Sequence, residues 1–386
     1  MAHSNTSGDS SQIQDNVLKV VTKYSHLEQL QWAGDISKLK IESEDRSNVF
    51  RVYFGGSDSS SIVVQCATPM DAKEPHRDNA QLEFNALTKF DSLAPGSAVK
   101  PVFYDPESKI LCIEDLRDYV IYRNSLISGH LDEDAALKLA RDVAVIHRDT
   151  HVANIGADAI KQLDKEFQNA TTLTIREQLL FTSPFTPGDP SHQCSDAVKA
   201  RLDWLYGDQE VLRAAAEMKR VFLEKKEALV HGDLHTGSIM VKDEDAKITN
   251  AGCSYVGPCS LDLGLLVANY IFTYYCHILC PEDNDNRRVF AYRVVEMCNK
   301  TVDEYFKHMT SVTEDVEIYQ AKFISEMAGF AGCEIIRRLV GPSHVGEFDH
   351  THDAEIDALG AGVRLLKAYD RIHSIGTLML IALMLA

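Results

Sequence analysis

Apolar residues recur at helical spacing in "IQDNVLKVVTKY" (13–24), and the period then shortens. "LKIES" (39–43) and "NVFRVYF" (48–54) alternate as strands do, and "SIVVQCA" (61–67) reads as an apolar strand. "GGSDSS" (55–60) is the turn between the last two. "RDNAQLEFNALTKFDSL" (77–93) returns to the helical period, with Leu82, Phe84, Leu87 and Phe90 in and around its apolar face. "VKPVFYDPES" and "KILCIEDL" predict two more strands. From 131 onward the pattern is mostly helical, with Asp132 and Ser195 as N-caps. One β-hairpin, "IMVKDEDAKIT" (239–249), interrupts the helices around an acidic turn. The stretch 1–12, rich in Ser, Asn, Gly and Asp, predicts disorder. The pattern divides the chain into that tail, a β-rich part over 13–118 and a helical part over 119–386.

Composition narrows the partners. The chain has 386 residues and a formal net charge of −18, which repels nucleic acid and anionic membrane. Neither is expected to bind. The opening "MAHSNTSGDSSQIQD" lacks the apolar core of a signal peptide. Nine cysteines, an odd count without a CxxC pair, fit a reducing, cytoplasmic setting. "CHILC" (276–280) reads as a buried helix face rather than a zinc site, for want of further ligands. The C-terminal run "IGTLMLIALMLA" is short of the roughly 20 residues a bilayer span needs and predicts a packed terminal helix.

Two segments compete as a phosphotransferase catalytic loop: "HRDTHVAN" (147–154) and "HGDLHTGS" (231–238). The base of such a loop must flow into strand, turn and strand. After Asn154 comes "IGADAIKQLDKEF", a charged helix; after Ser238 comes the hairpin. The second segment therefore carries the chemistry, and the first reads as a helix end. Asp233 is the candidate base that orients and deprotonates a hydroxyl. His231 packs beneath the loop, Asp262 of "SLDLG" braces it from a helix start, and Ser238 occupies the place of a metal ligand.

"HGDLHTGSIM" together with "GFAGCEIIRRLVG" (329–341) and its following "SHV" resembles the S-methyl-5-thioribose kinase family, relatives of aminoglycoside and choline phosphotransferases. "EDL" (114–116), "LLFTSPF" (179–185) and "YVGPCSLDLG" (255–264) extend the resemblance from about residue 40 to about 370. The resemblance implies an α+β, two-lobed protein-kinase-like fold, with strand, strand, strand, helix, strand, strand forming the small lobe. It implies transfer of the ATP γ-phosphate to the 1-hydroxyl of methylthioribose, a small-molecule sugar, in methionine salvage. It further implies Mg2+ and a homodimer. Arg337 and Arg338 match the family's paired arginines near substrate and transferred phosphate, where a guanidinium fork suits phosphate. Glu114, Asp115 and Leu116 match the hinge that holds adenine.

The departures fall on nucleotide and metal. "ESEDRSN" (42–48) stands where a glycine-rich turn covers phosphate, and it has no glycine and three acids. Gln65 stands where the third strand carries a phosphate-binding lysine, which leaves Glu83 without that partner; Lys38 or Lys40 could reach the phosphates instead. Asn250, Ala251 and Gly252 replace an Asp-Pro-Glu, leaving Asn250 and Ser238 as neutral metal ligands, whereas hard cations favour carboxylates. "MDAKEPHRDNAQ" (70–81) lacks the aromatic of the family's substrate loop. Three readings stay open: a kinase of reduced activity, a pseudokinase acting as a binding or regulatory partner, and a kinase for another small hydroxylated substrate.

Overall fold

The computed structural model describes residues 6–27, 30, 39–43, 49–53, 61–66, 79–280, 285–342, 345–349 and 354–384. Within them the chain forms two compact units, 1–118 with 250–252, and 119–249 with 253–386.

The first unit begins with α1 (Thr6–Lys23), then β1 (Lys40–Ser43), β2 (Val49–Tyr53), β3 (Ser61–Cys66), α2 (Asn79–Leu93), β4 (Pro101–Asp105) and β5 (Ile110–Glu114). The helix starts at Thr6, inside the tail expected to be disordered. The strong apolar repeat from Ile13 onward supplies a nucleus, and helix extends from it at low cost through polar residues. The strands pair antiparallel throughout in the order β1-β2-β3-β5-β4. Alternation sorts the two faces. Phe50, Val52, Ile62, Val64, Ile110 and Cys112 turn to one side and pack with Val17, Val20 and Val21 of α1. Arg51, Tyr53, Val63 and Gln65 alternate with them and stay partly exposed. In α2, Leu82, Ala86, Leu87 and Phe90 form the buried stripe. The turn at 55–60, most of 42–48, Lys38 and most of the 70–81 loop lie outside the described residues.

The second unit opens with β6 (Val120–Ile121), α3 (Tyr122–Ile127), α4 (Glu133–Thr150), α5 (Val152–Ile155), α6 (Ala157–Phe167) and α7 (Ala170–Glu177). The stretch 195–227 breaks into α8 (Asp196–Lys199), α9 (Leu202–Gly207) and α10 (Gln209–Glu224). Asp208 makes one of those breaks, its Oδ1 accepting from the N–H groups of Glu210 and Val211. Ser195 caps α8 as predicted, accepting from Val198 N–H. Asp132 occupies the N-cap position of α4 without a capping bond, because its carboxylate accepts from Ser125 Oγ at 2.7 Å instead.

Then follow β7 (Ala228–Val230), β8 (Ile239–Lys242), β9 (Asp245–Ile248), β10 (Tyr255–Gly257), α11 (Cys259–Ile278), α12 (Asp285–His308), α13 (Val316–Val340), α14 (Ala354–Ala368) and α15 (Ile375–Ala382). β8 and β9 are the predicted hairpin, joined by β6, and β7 pairs with β10. α11 is buried almost throughout, as a helix apolar on every side must be. It lies tight against α13: a Cβ on Gly264 would come 2.7 Å from Phe330 Cβ and 2.9 Å from the Met327 carbonyl oxygen. The C-terminal run forms α15, with Leu378, Met379 and Ala382 buried, and Arg364 closes its end on the carbonyls of Ile381 and Ala382. No helix among the described residues is long and apolar enough to cross a membrane.

Candidate functional site

Strand β7 delivers the chain to the loop at 231–238. Gly232 adopts φ +79, and a Cβ there would sit 2.3 Å from the Cys253 carbonyl oxygen, so the turn admits only glycine. Asp262, in the first turn of α11, accepts from the N–H of His231 at 2.7 Å and of Gly232 at 2.9 Å. This is the bracing role its position predicts. His231 lies beneath the loop, with Nδ1 accepting from Asp233 N–H and Nε2 bonded to the Thr249 carbonyl at 2.9 Å.

The competing "HRDTHVAN" segment is the end of α4 and the start of α5. Its His147 is buried, with Nε2 3.3 Å from Asp262 Oδ2 and Nδ1 3.0 Å from the Tyr305 hydroxyl. Through Asp262, the 147–154 segment thus helps to hold up the 231–238 loop.

Asp233 is a quarter exposed, and its Oδ1 lies 2.8 Å from Arg176 Nη2 and 3.7 Å from Arg337 Nη2. The same Arg176 nitrogen donates to the Gly232 carbonyl at 2.8 Å, tying α7 to the turn. Burial alone would push the Asp233 carboxyl up; Arg176 foremost, with His235, Arg337 and Arg338 behind it, holds it far below the usual carboxylate range. Asp233 is therefore ionised at neutral pH. Arg337 forks onto Glu334 through Nε and Nη2, both at 2.7 Å, and Arg338 reaches Glu334 Oε1 through Nε at 2.9 Å. Glu334, wholly buried, stays ionised against the cost of burial because of these two cations. His235 is pushed down to about 3 by burial, with Arg338 and Arg123 adding to the effect against the pull of Asp233.

Sequence reasoning missed Arg176 and Glu334. Glu334 had a signal, since it precedes the two arginines by three and four residues, the spacing of helical ion pairs. Arg176 had none: it is one arginine in an otherwise ordinary helix.

No protein-family model matches the chain. The methylthioribose kinase of Geobacillus thermodenitrificans (strain NG80-2) is 31% identical over 286 residues, covering 70% of this chain and 69% of that protein. The methylthioribose kinase of Geobacillus sp. (strain WCH70) is 31% identical over 289 residues, covering 72% and 70%. The chain belongs to the methylthioribose kinase family. The solved structure of Plasmodium vivax ethanolamine kinase shares the fold, with a TM-score of 0.50 over 96% of this chain and 95% of that one at 14% identity. The fold is α+β and protein-kinase-like.

The residues that the sequence leads one to expect at a nucleotide site lie in the first unit. Gln65 is on β3, opposite Val49 and Leu111. Lys40 is on β1 with Nζ 2.7 Å from Glu42 Oε1, so a carboxylate already engages it. Glu114 ends β5, its N–H bonded to the Lys100 carbonyl and its Oε1 accepting from Lys100 N–H. The Asp115 carboxylate is buried against Arg51 at 2.9 Å and Arg117 at 3.2 Å, with Ser61 also bonded to it. That cluster fixes the chain where β5 runs out into Leu116.

The metal ligands expected of the family are poorly matched. Ser238 is buried and donates to the Asp233 carbonyl at 3.3 Å. Asn250 stands in left-handed backbone at φ 58, and Ala251 and Gly252 offer no side-chain ligand atom. No cluster of three or more His, Cys, Asp or Glu among the described residues could hold a metal ion. This donor set does not fit a Mg2+ site.

Proposed function

We propose that the chain is a methylthioribose kinase-like phosphotransferase, moving the ATP γ-phosphate to the 1-hydroxyl of S-methyl-5-thioribose at reduced rate. The observation that carries this reading is the ionised Asp233 carboxylate, held by Arg176 and flanked by Arg337 in a chain of this family. Asp233 accepts the hydroxyl proton. Arg337 and Arg338, ordered by Glu334, face the sugar and the arriving phosphoryl group with positive charge. Glu114, Asp115 and Leu116 hold adenine, and Gln65 stands near the phosphates without supplying charge. A missing lysine and two missing carboxylates weaken transition-state stabilisation by several kcal/mol, about a thousandfold in rate for 4 kcal/mol. A cytoplasmic enzyme acting on a small sugar fits the acidic chain.

A second reading, a pseudokinase that binds sugar without turnover, is favoured by one feature: the neutral set Gln65, Asn250 and Gly252. Isotope-traced ATP turnover on methylthioribose separates the two. The kinase reading expects slow transfer abolished by Asp233→Ala. Turnover equal in the wild type and that variant would overturn it.

A further inference from the structure

His235 stands two residues past the base, and its ring orientation is fixed by geometry. The Gly237 N–H donates to its Nδ1 at 3.0 Å. That bond needs a lone pair on Nδ1, so the single ring proton is on Nε2. On the Nδ1 side Arg123 Nη2 lies 3.5 Å away, which further disfavours a second proton. Nε2 is 3.8 Å from Asp233 Oδ2 and 3.3 Å from Ser238 Oγ, both long for an N–H···O bond. Asp233 meanwhile has Oδ1 engaged by Arg176, leaving Oδ2 on the side of the imidazole.

An oxygen placed about 2.8 Å from both Oδ2 and Nε2 would close a roughly right-angled corner. A hydroxyl suits that corner, since it can give its proton to the carboxylate and accept one hydrogen bond from the imidazole. We propose that His235 is a catalytic residue of the acceptor side, its Nε2–H donating to the same hydroxyl oxygen whose proton Asp233 accepts. The imidazole exchanges no proton; it fixes one lone pair of the hydroxyl and thereby the direction of the other. This inference rests on the sugar-kinase reading above.

The test compares binding of methylthioribose and its 1-deoxy analogue by calorimetry, without nucleotide, to the wild type, His235→Ala and His235→Gln. Thermal melting checks that each variant is folded. His235→Ala is expected to weaken methylthioribose about tenfold, the worth of one hydrogen bond, and to leave the 1-deoxy analogue unchanged. His235→Gln, which keeps an N–H near the place of Nε2, is expected to recover part of the loss. Equal weakening of both sugars, or none, would overturn the inference and leave the kinase reading intact. A wild type that binds neither sugar, or both alike, would overturn the kinase reading and the inference with it.

Discussion

At the scale of single residues, the loop at 231–238 is organised by the ion pair of Asp233 with Arg176. The guanidinium is buried, and its Nη2 serves both the Asp233 carboxylate and the Gly232 carbonyl. Removing it strands a carboxylate in a hollow where burial favours the neutral form. Arg176→Met is expected to lower stability by about 3 kcal/mol, and a further Asp233→Leu change should recover part of that loss, as measured by urea unfolding. An additive double variant would show that the pair does not interact. The pair also marks the limit of reading single residues from sequence. Asp233 was legible because its motif feeds a strand, a turn and a strand. Arg176 was not, because what places it at the candidate site is a contact 57 positions away in the chain.

Among elements, the hairpin β8–β9, most strands of the five-stranded sheet and most helices follow from periodicity, since they have one side to bury, whereas α11 follows from its nearly unbroken apolar run. Less legible was what joins them. Glu227, just before β7, is an example: its Oε2 accepts from the Cys259 N–H at the start of α11, and its Oε1 lies 3.0 Å from Lys225 and 3.6 Å from His151. Lys225 reaches on to Glu326 of α13, which also accepts from Ser260. No local pattern announces a buried node of this kind. It has a pH signature. Burial pushes the Glu227 carboxyl up, but His151, Lys225 and the Cys259 N–H outweigh it and bring it to about 2 from an ordinary 4.5. A carboxyl lowered by folding stabilises the fold above its unfolded value. The contribution is therefore complete above about pH 4.5 and is lost as the pH falls towards 2, amounting to about 3 kcal/mol. Urea midpoints measured across that range should fall steeply in the wild type and less so in Glu227→Gln; parallel curves would assign the acid sensitivity elsewhere.

Over the whole molecule, the departures that the sequence leads one to expect from the family pattern are unevenly shared between the two units. The second unit carries the proposed base Asp233, its ion-pair partner Arg176 and a pair of arginines around one buried glutamate. The first unit, with 250–252, carries Gln65, Asn250 and Gly252 where charge is expected. The chain has 57 acidic residues and none of them falls at 250–252. Space does not explain it. A Cβ on Gly252 would meet Asn79 and Glu83 only at ordinary contact distances, 3.5 Å or more. Glu83 Oε2 lies 3.7 Å from that Cβ position, so a glutamate at 252 would join a carboxylate already present. Adding a second carboxylate beside Glu83 costs electrostatic energy, which a cation bound by both offsets. The double change Asn250→Asp with Gly252→Glu should therefore raise Mg2+ affinity at least tenfold in calorimetry, and lower stability modestly when Mg2+ is withheld. A gain in affinity without that loss would mean the new carboxylates are solvated and bind the ion apart from Glu83. Unchanged affinity would mean that the segment is not where this fold holds its metal.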